Sequence, residues 1–220
     1  AKKLFSHEGA KFTATDYITY ADVLIHTGKP EEAVAAYETA YNMNPEKNKQ
    51  ILADISELYN KLENDAKSVE YMQKYVDTGD VTLQDYFILS NRYKNLGLTL
   101  PEGSPERVEA ANNGIKYIDL ALESAANKGP LFRNKATLLM VRDGANNTPE
   151  LIETYQAMIA AYDEDPENIN KYAEAYKTAY TRMGSYYMGL EDKDKAREYF
   201  QKVLEIDPDY APVKKVLSEL

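Results

Sequence analysis

Apolar positions recur along most of the chain at the three-to-four spacing of amphipathic helices. Near one end Tyr17, Tyr20, Ala21 and Leu24 share a helical face, Ala33, Tyr37 and Ala40 share a second, and Pro45 closes the segment. Near the other end Tyr180, Met183, Gly184 and Tyr187 are followed by Ala196, Phe200 and Val203, and then by Pro208. The offsets agree position for position, and the interval from Tyr17 to Pro45 equals that from Tyr180 to Pro208. Two antiparallel helices account for the pattern. The small residues Ala21, Ala33, Gly184 and Ala196 fall where the axes would approach most closely, at about 8–10 Å. Gly28-Lys29-Pro30-Glu31-Glu32 reads as the turn between the helices, with Pro and acids suited to a helix start. Asp192-Lys193-Asp194 reads the same way.

Between these copies the pattern weakens but persists. Leu52, Ile55, Ser56 and Tyr59 with Ser68, Met72 and Tyr75 form a second unit. Tyr86, Leu89, Ser90 and Tyr93 open a third, whose second helix carries Gly114, Ile118 and Ala121. Gly97–Pro105 holds two Gly and two Pro and is expected to be a mobile excursion between them. In the fourth unit Phe132, Ala136 and Leu139 precede a loop at 143–149, and Met158, Ala161 and Pro166 follow. A long helix from about Glu167 to Gly189 opens the fifth. Val213, Val216, Leu217 and Leu220 line one side of a final helix, the lid that a terminal repeat needs. The pattern therefore predicts an all-α protein without strands, of about eleven helices in roughly five antiparallel pairs plus a cap. The expected boundaries are 14–47, 49–80, 83–127, 129–166 and 167–210, with the capping helix at 211–220, in a single solenoid domain.

The two end segments, 14–47 and 177–210, resemble the tetratricopeptide repeat, a helix–turn–helix unit of about 34 residues. The resemblance implies a right-handed superhelix whose concave surface, lined by the first helix of each unit, binds an extended peptide or protein segment. By matching offsets, that surface would take Thr15, Ile18, Asp22, Ile25 and His26 from the first unit. The second would supply Gln50, Ala53, Glu57, Asn60 and Lys61, and the third Gln84, Phe87, Asn91, Lys94 and Asn95. Some family members hold a C-terminal carboxylate with a Lys and an Asn one turn apart. The equivalent pairs here are Ile18 with Asp22 and Ala53 with Glu57, so that clamp is absent.

Charge and composition narrow the function further. The net charge is −10 and both halves of the chain are acidic, which argues against a nucleic-acid track. No apolar run approaches the length of a membrane span, about 20 residues. The absence of Cys removes thiolate chemistry and leans toward an extracytoplasmic setting, periplasmic or secreted. The first residues read as a mature or trimmed chain without a signal peptide. Residues 1–13, with Leu4, Phe5 and Phe12, read as the tail of a preceding unit, so the chain is expected to be the C-terminal part of a longer array. That uncovered apolar edge is expected to promote weak self-association.

Catalytic signals are missing. The two histidines, His7 and His26, form no metal pair, and there is no nucleophile elbow or phosphate-binding glycine loop. Glu31-Glu32, Glu63-Asn64-Asp65 and Asp192-Lys193-Asp194 are explained by helix capping. Asp163-Glu164-Asp165-Pro166-Glu167 lacks the Gly and Glu that a calcium loop requires. Asn146-Asn147-Thr148 is a formal glycosylation sequon weakened by Pro149. Tyr172, Tyr176, Tyr180 and Tyr187 read as inter-helix packing, with a binding stripe as the rival. The resulting expectation is a non-enzymatic scaffold for a protein or peptide partner, with no cofactor or metal. Lys61 and Lys94 suggest an acidic or carboxylate-bearing segment. The rival readings are a metabolite- or sugar-binding protein or enzyme with a pocket between 97–105 and 143–149, and a structural segment that stacks on itself.

Overall fold

The computed structural model describes residues 11–164 and 168–220. Among them are thirteen helices and no strand: α1 Ala14–His26, α2 Pro30–Met43, α3 Pro45–Asn48, α4 Gln50–Lys61, α5 Asp65–Val76, α6 Leu83–Thr99, α7 Pro105–Ser124, α8 Gly129–Asp143, α9 Pro149–Asp163, α10 Asn168–Lys171, α11 Ala173–Gly189, α12 Lys193–Ile206 and α13 Ala211–Glu219. Leaving aside the four-residue α3 and α10, the long helices match the number and order that the apolar pattern predicts. The chain forms two compact units, Ala1–Leu96 and Gly97–Leu220. In the first, α1 packs on α2, α2 on α4 and α4 on α5; in the second, α7 packs on α8, α8 on α9, α9 on α11, α11 on α12 and α12 on α13.

Local chemistry sets the helix boundaries. Thr13 and Asp16 form a reciprocal capping box on α1, while Asn64, Ser104, Thr148 and Asp192 cap α5, α7, α9 and α12 through their side chains. Each satisfies an N–H that the first turn leaves without an intrahelical partner. Prolines occupy the first turns of α2, α3, α7, α8, α9 and α13, where a missing N–H costs least.

Packing follows the small residues. Ala21, Ala33 and Ala196 are completely buried. A methyl group at Gly184 would meet the Phe200 ring at 2.6 Å, so only Gly lets α11 and α12 approach this closely. In the second helix pair the same place is taken by Ser56 and Ser68, both fully buried. Each serine Oγ donates to the other's carbonyl, at 2.7 and 2.9 Å. Val213 on α13 is buried with Ala196, Phe200 and Val203, and Val216, Leu217 and Leu220 pack against that cluster. The lid read from the sequence is therefore present.

Two expectations need correction. Gly97–Pro105 is not an excursion: Gly97–Thr99 form the end of α6 and Pro105 begins α7. Gly97 is buried, and a Cβ there would lie 2.7 Å from Val141. Arg107 donates from Nη1 to the Leu100 carbonyl and from Nε to the Val141 carbonyl, both at 3.0 Å. The helix expected over Glu167–Gly189 is instead divided, with Tyr172 in a non-helical conformation between α10 and α11 (φ −111°, ψ 17°). Glu167 itself, like Leu4, Phe5, His7, Asp165 and Pro166, lies outside the described residues. Phe12 is described, and meets Tyr17 edge to face at 6.2 Å.

Candidate functional site

The ten residues singled out for a binding groove all fall in the first unit, on α1, α4 and α6. On α1, Ile18 is half-buried, while Asp22 and His26 are exposed. Asp22 accepts a 2.6 Å hydrogen bond from the Tyr37 hydroxyl of α2. Burial and this bond push the Tyr37 pKa above the ordinary phenol value. His26 Nδ1 lies 2.7 Å from the Asp22 carbonyl, so its ring is held against its own helix. Asp54 of α4 is held above the usual carboxylate range, first by desolvation and further by the charge of Asp22.

On α4 and α6 the structure binds several candidates to one another. Glu57 pairs with Lys61 at 3.6 Å and accepts from Arg92 Nη2. Arg92 was missed by the repeat offsets, which place it beside the groove positions rather than among them. Its side chain is 12% exposed, and its Nε is buried without a hydrogen-bond partner. Lys94 Nζ donates to Asn91 Oδ1 at 2.7 Å, and Asn91 Nδ2 donates to the Phe87 carbonyl at 3.0 Å. Lys61 and Lys94 are thus engaged within the chain, which weakens the sequence argument for a carboxylate at this face. Asn60 and Asn95 are half-buried, and their amides make no hydrogen bond among the described residues.

Among the described residues three cavities lie away from these positions, and 97–105 and 143–149 do not contribute to their lining. One of about 540 Å³ in the first unit sits between α2, α4 and α5, over Leu52 and Ile55 and beside Glu38, Tyr41, Tyr71 and Lys74. The Tyr71 hydroxyl donates to Glu38, and Lys74 Nζ lies 4.6 Å from the Tyr71 ring centre while pairing with Glu70 at 2.7 Å. The other two are in the second unit and share Glu174 and Thr178 of α11. One, of about 300 Å³, also takes Lys177, Thr181, Arg182 and Tyr210. Its neighbour, of about 180 Å³, takes Arg133, Thr137 and Met140 of α8 with Tyr155 and Met158 of α9. Groove positions were projected for the first three units only, so this face went unnamed, although the same offsets extend to α11.

The tyrosine series is packing. Tyr172 stacks on Tyr162 at 4.0 Å, Tyr176 and Tyr180 are 6.1 Å apart, and Tyr187 stacks on Tyr199 at 5.5 Å. The Tyr176 hydroxyl donates to Asp163 at 2.7 Å, which gives that acid a structural role. Among the described residues no group of three or more His, Cys, Asp or Glu side chains could hold a metal ion, and no helix is long and apolar enough to cross a membrane.

The tetratricopeptide-repeat family model matches residues 17–47 and 177–210. No curated protein matches the sequence. The C-terminal part of a TPR repeat-containing protein from Cytophaga hutchinsonii superposes with a TM-score of 0.74 at 16% identity, covering 96% of this chain and 76% of that one. YrrB, described as a TPR protein with an unusual peptide-binding site, gives 0.62 at 19% identity, covering 100% and 97%. MamA gives 0.60 at 20% identity, covering 90% and 94%. These similarities extend the repeat fold across the middle units, where the sequence pattern is weakest. The chain thus carries two segments that match the tetratricopeptide repeat, within an all-α repeat fold similar to that of solved tetratricopeptide-repeat proteins.

Proposed function

We propose that the chain is a non-enzymatic scaffold that holds an extended protein segment against the first helices of successive pairs. Proteins of this family are in general interaction scaffolds. The observation that carries the reading is the polar α4–α6 surface, where the amides of Asn60 and Asn95 are half-buried and make no hydrogen bond among the described residues. An amide offers both donor and acceptor, so it can bond the backbone of an extended segment whatever its side chains. Phe87, half-buried on the same helix as Asn91 and Asn95, supplies apolar contact. YrrB, with the same fold, is described as peptide-binding. Ile18, Asp22, His26, Glu57 and Lys61 complete the proposed face, where Glu57 pairs with Lys61 and Arg92 and Asp22 accepts from Tyr37. A polar, solvent-exposed mode of this kind is expected to give micromolar affinity.

Selection of binding segments by peptide display, followed by titration against the full chain, tests this. Asn60→Ala combined with Asn95→Ala should weaken a selected segment about tenfold, with the circular dichroism spectrum unchanged. A selected segment that binds the double variant like the parent removes the α4–α6 surface as the site.

A further inference from the structure

The second unit carries a face whose chemistry is more selective than that of the first, and the argument rests on the scaffold reading above. We infer that the α8–α11 face of the second unit takes an extended segment bearing a carboxylate beside a Leu- or Met-sized apolar side chain.

Charge comes first. Arg133 is exposed and its side chain makes no hydrogen bond or ion pair among the described residues. Arg182 donates only to neutral groups, the Ala145 carbonyl at 3.1 Å and Asn147 Oδ1 at 3.3 Å. Its positive charge is therefore tethered to the loop after α8 but not neutralised. Lys177, which lines the larger cavity, is already paired with Glu174 at 2.8 Å and Asp207 at 3.2 Å. Two guanidinium groups thus line neighbouring cavities that share Glu174 and Thr178, in a chain whose net charge is −10. A guanidinium presents a planar fork of donors that matches a carboxylate.

The walls select the rest of the ligand. The cavity of about 180 Å³ has Met140 and Met158 in its lining, and thioether side chains adapt to aliphatic groups of varied shape. Tyr155 is 3% exposed, and among the described residues its hydroxyl has only the Met140 sulfur as acceptor, at 3.6 Å. A thioether is a weak acceptor, so this buried hydroxyl gains from an oxygen brought by a ligand. Burial raises the Tyr155 pKa and the charge of Arg182 opposes that rise, which places the guanidinium within electrostatic reach of the hydroxyl. Thr137, Thr178 and Thr181 each donate their Oγ proton back to a carbonyl one turn earlier, at 3.1, 2.8 and 2.8 Å. Their oxygens are left as acceptors only, suited to the backbone N–H groups of an extended segment.

Fluorescence anisotropy with the full chain decides the matter. Four labelled peptides on a Gly/Ser background are compared: an amidated Leu-Asp-Leu-Asp peptide, its Leu-Lys-Leu-Lys and Ala-Asp-Ala-Asp counterparts, and one ending in a free Leu carboxylate without Asp. The first or the last should bind, and which of them does so identifies a side-chain or a terminal carboxylate. The Lys and Ala peptides should bind at least tenfold more weakly. Arg133→Glu should weaken binding at least tenfold without shifting thermal unfolding by more than a degree or so, because the Arg133 side chain makes no hydrogen bond or ion pair among the described residues. Lys128→Glu, a charge-matched change at the start of α8, should stay within twofold. Unchanged binding by Arg133→Glu, or preference for the Lys peptide, overturns the inference. Loss with Lys94→Glu but not with Arg133→Glu also overturns it and moves the segment to the first unit, leaving the scaffold reading intact. Absence of binding by all four peptides overturns the ligand class, and the display selection then judges the scaffold reading separately.

Discussion

Single residues show how much a one-dimensional pattern can say about a surface. Repeat offsets assign positions of α1, α4 and α6 to one face, because helical geometry fixes the direction of each Cβ. What those residues do there did not follow. Lys61 was read as available for a ligand, yet it pairs with Glu57, which also holds Arg92 from thirty-five positions further along the chain. The Glu57–Lys61 pair is one turn apart on α4, but the Glu57–Arg92 pair depends on the separation of two helices, which sequence spacing does not encode. Asp54 makes the same point in a measurable form. Its carboxyl is raised by desolvation and by Asp22, so the folded state holds the proton more tightly than the unfolded chain. Stability therefore falls as pH rises from the ordinary Asp value of about 3.9 through the raised one. Asp54→Asn should increase the unfolding midpoint at neutral pH, and the gain should vanish below about pH 3. Thermal unfolding of parent and variant over that range checks the sign; a gain that persists in acid would point to packing instead.

At the scale of elements, legibility tracked exposure. Helices with one wet face, such as α1, α2, α4 and α12, printed a clear period on the sequence. α8 did not, because it packs on both α7 and α9, and its buried residues include Leu131, Asn134, Ala136, Leu138, Leu139 and Val141. A helix covered on several sides has no single apolar stripe to read. The α6–α7 connection was misjudged for a related reason: Gly and Pro suggested looseness, whereas Gly97 is there to admit Val141 and Pro105 to start a helix. Arg107 ties that connection to α8 through two carbonyls. Hydrogen bonds from a charged group are worth about 1.5–3 kcal/mol in partly buried settings, so Arg107→Ala should cost about 2 kcal/mol in urea unfolding. Replacing Gly97–Pro105 with a short flexible linker should lower the melting temperature by well over a few degrees. Unfolding curves that superimpose on the parent's would return this segment to the status of a free loop.

For the molecule as a whole, class and repeat order were readable. The sequence pattern breaks at Gly97, the residue at which the second compact unit begins, although the break was read as a loop within one solenoid. Repeat arrays gain stability from each repeat and its neighbours, so cooperativity weakens where coupling is uneven. Native-state hydrogen exchange should accordingly resolve two opening free energies, one shared by the core amides of 11–96 and another by those of 97–220. A single value across both sets, coincident with global unfolding, would show that the chain opens as one cooperative body.

The buried Ser56–Ser68 pair has a consequence for how self-similar helices find their proper mates. A chain built from near-copies risks pairing one helix with the wrong sibling, or exchanging hairpins between molecules. Alanine fits against alanine anywhere in such a chain and discriminates against nothing. Two hydroxyls that each reach the facing residue's backbone carbonyl do so only where these two residues meet in this register. Slid by a turn, each would lose that acceptor and fall back on a carbonyl of its own helix, as Thr178 and Thr181 do, at a cost of about 0.5–1.5 kcal/mol. The pair therefore works as a register mark: its worth lies in the alignments it disfavours as well as in the contact it makes.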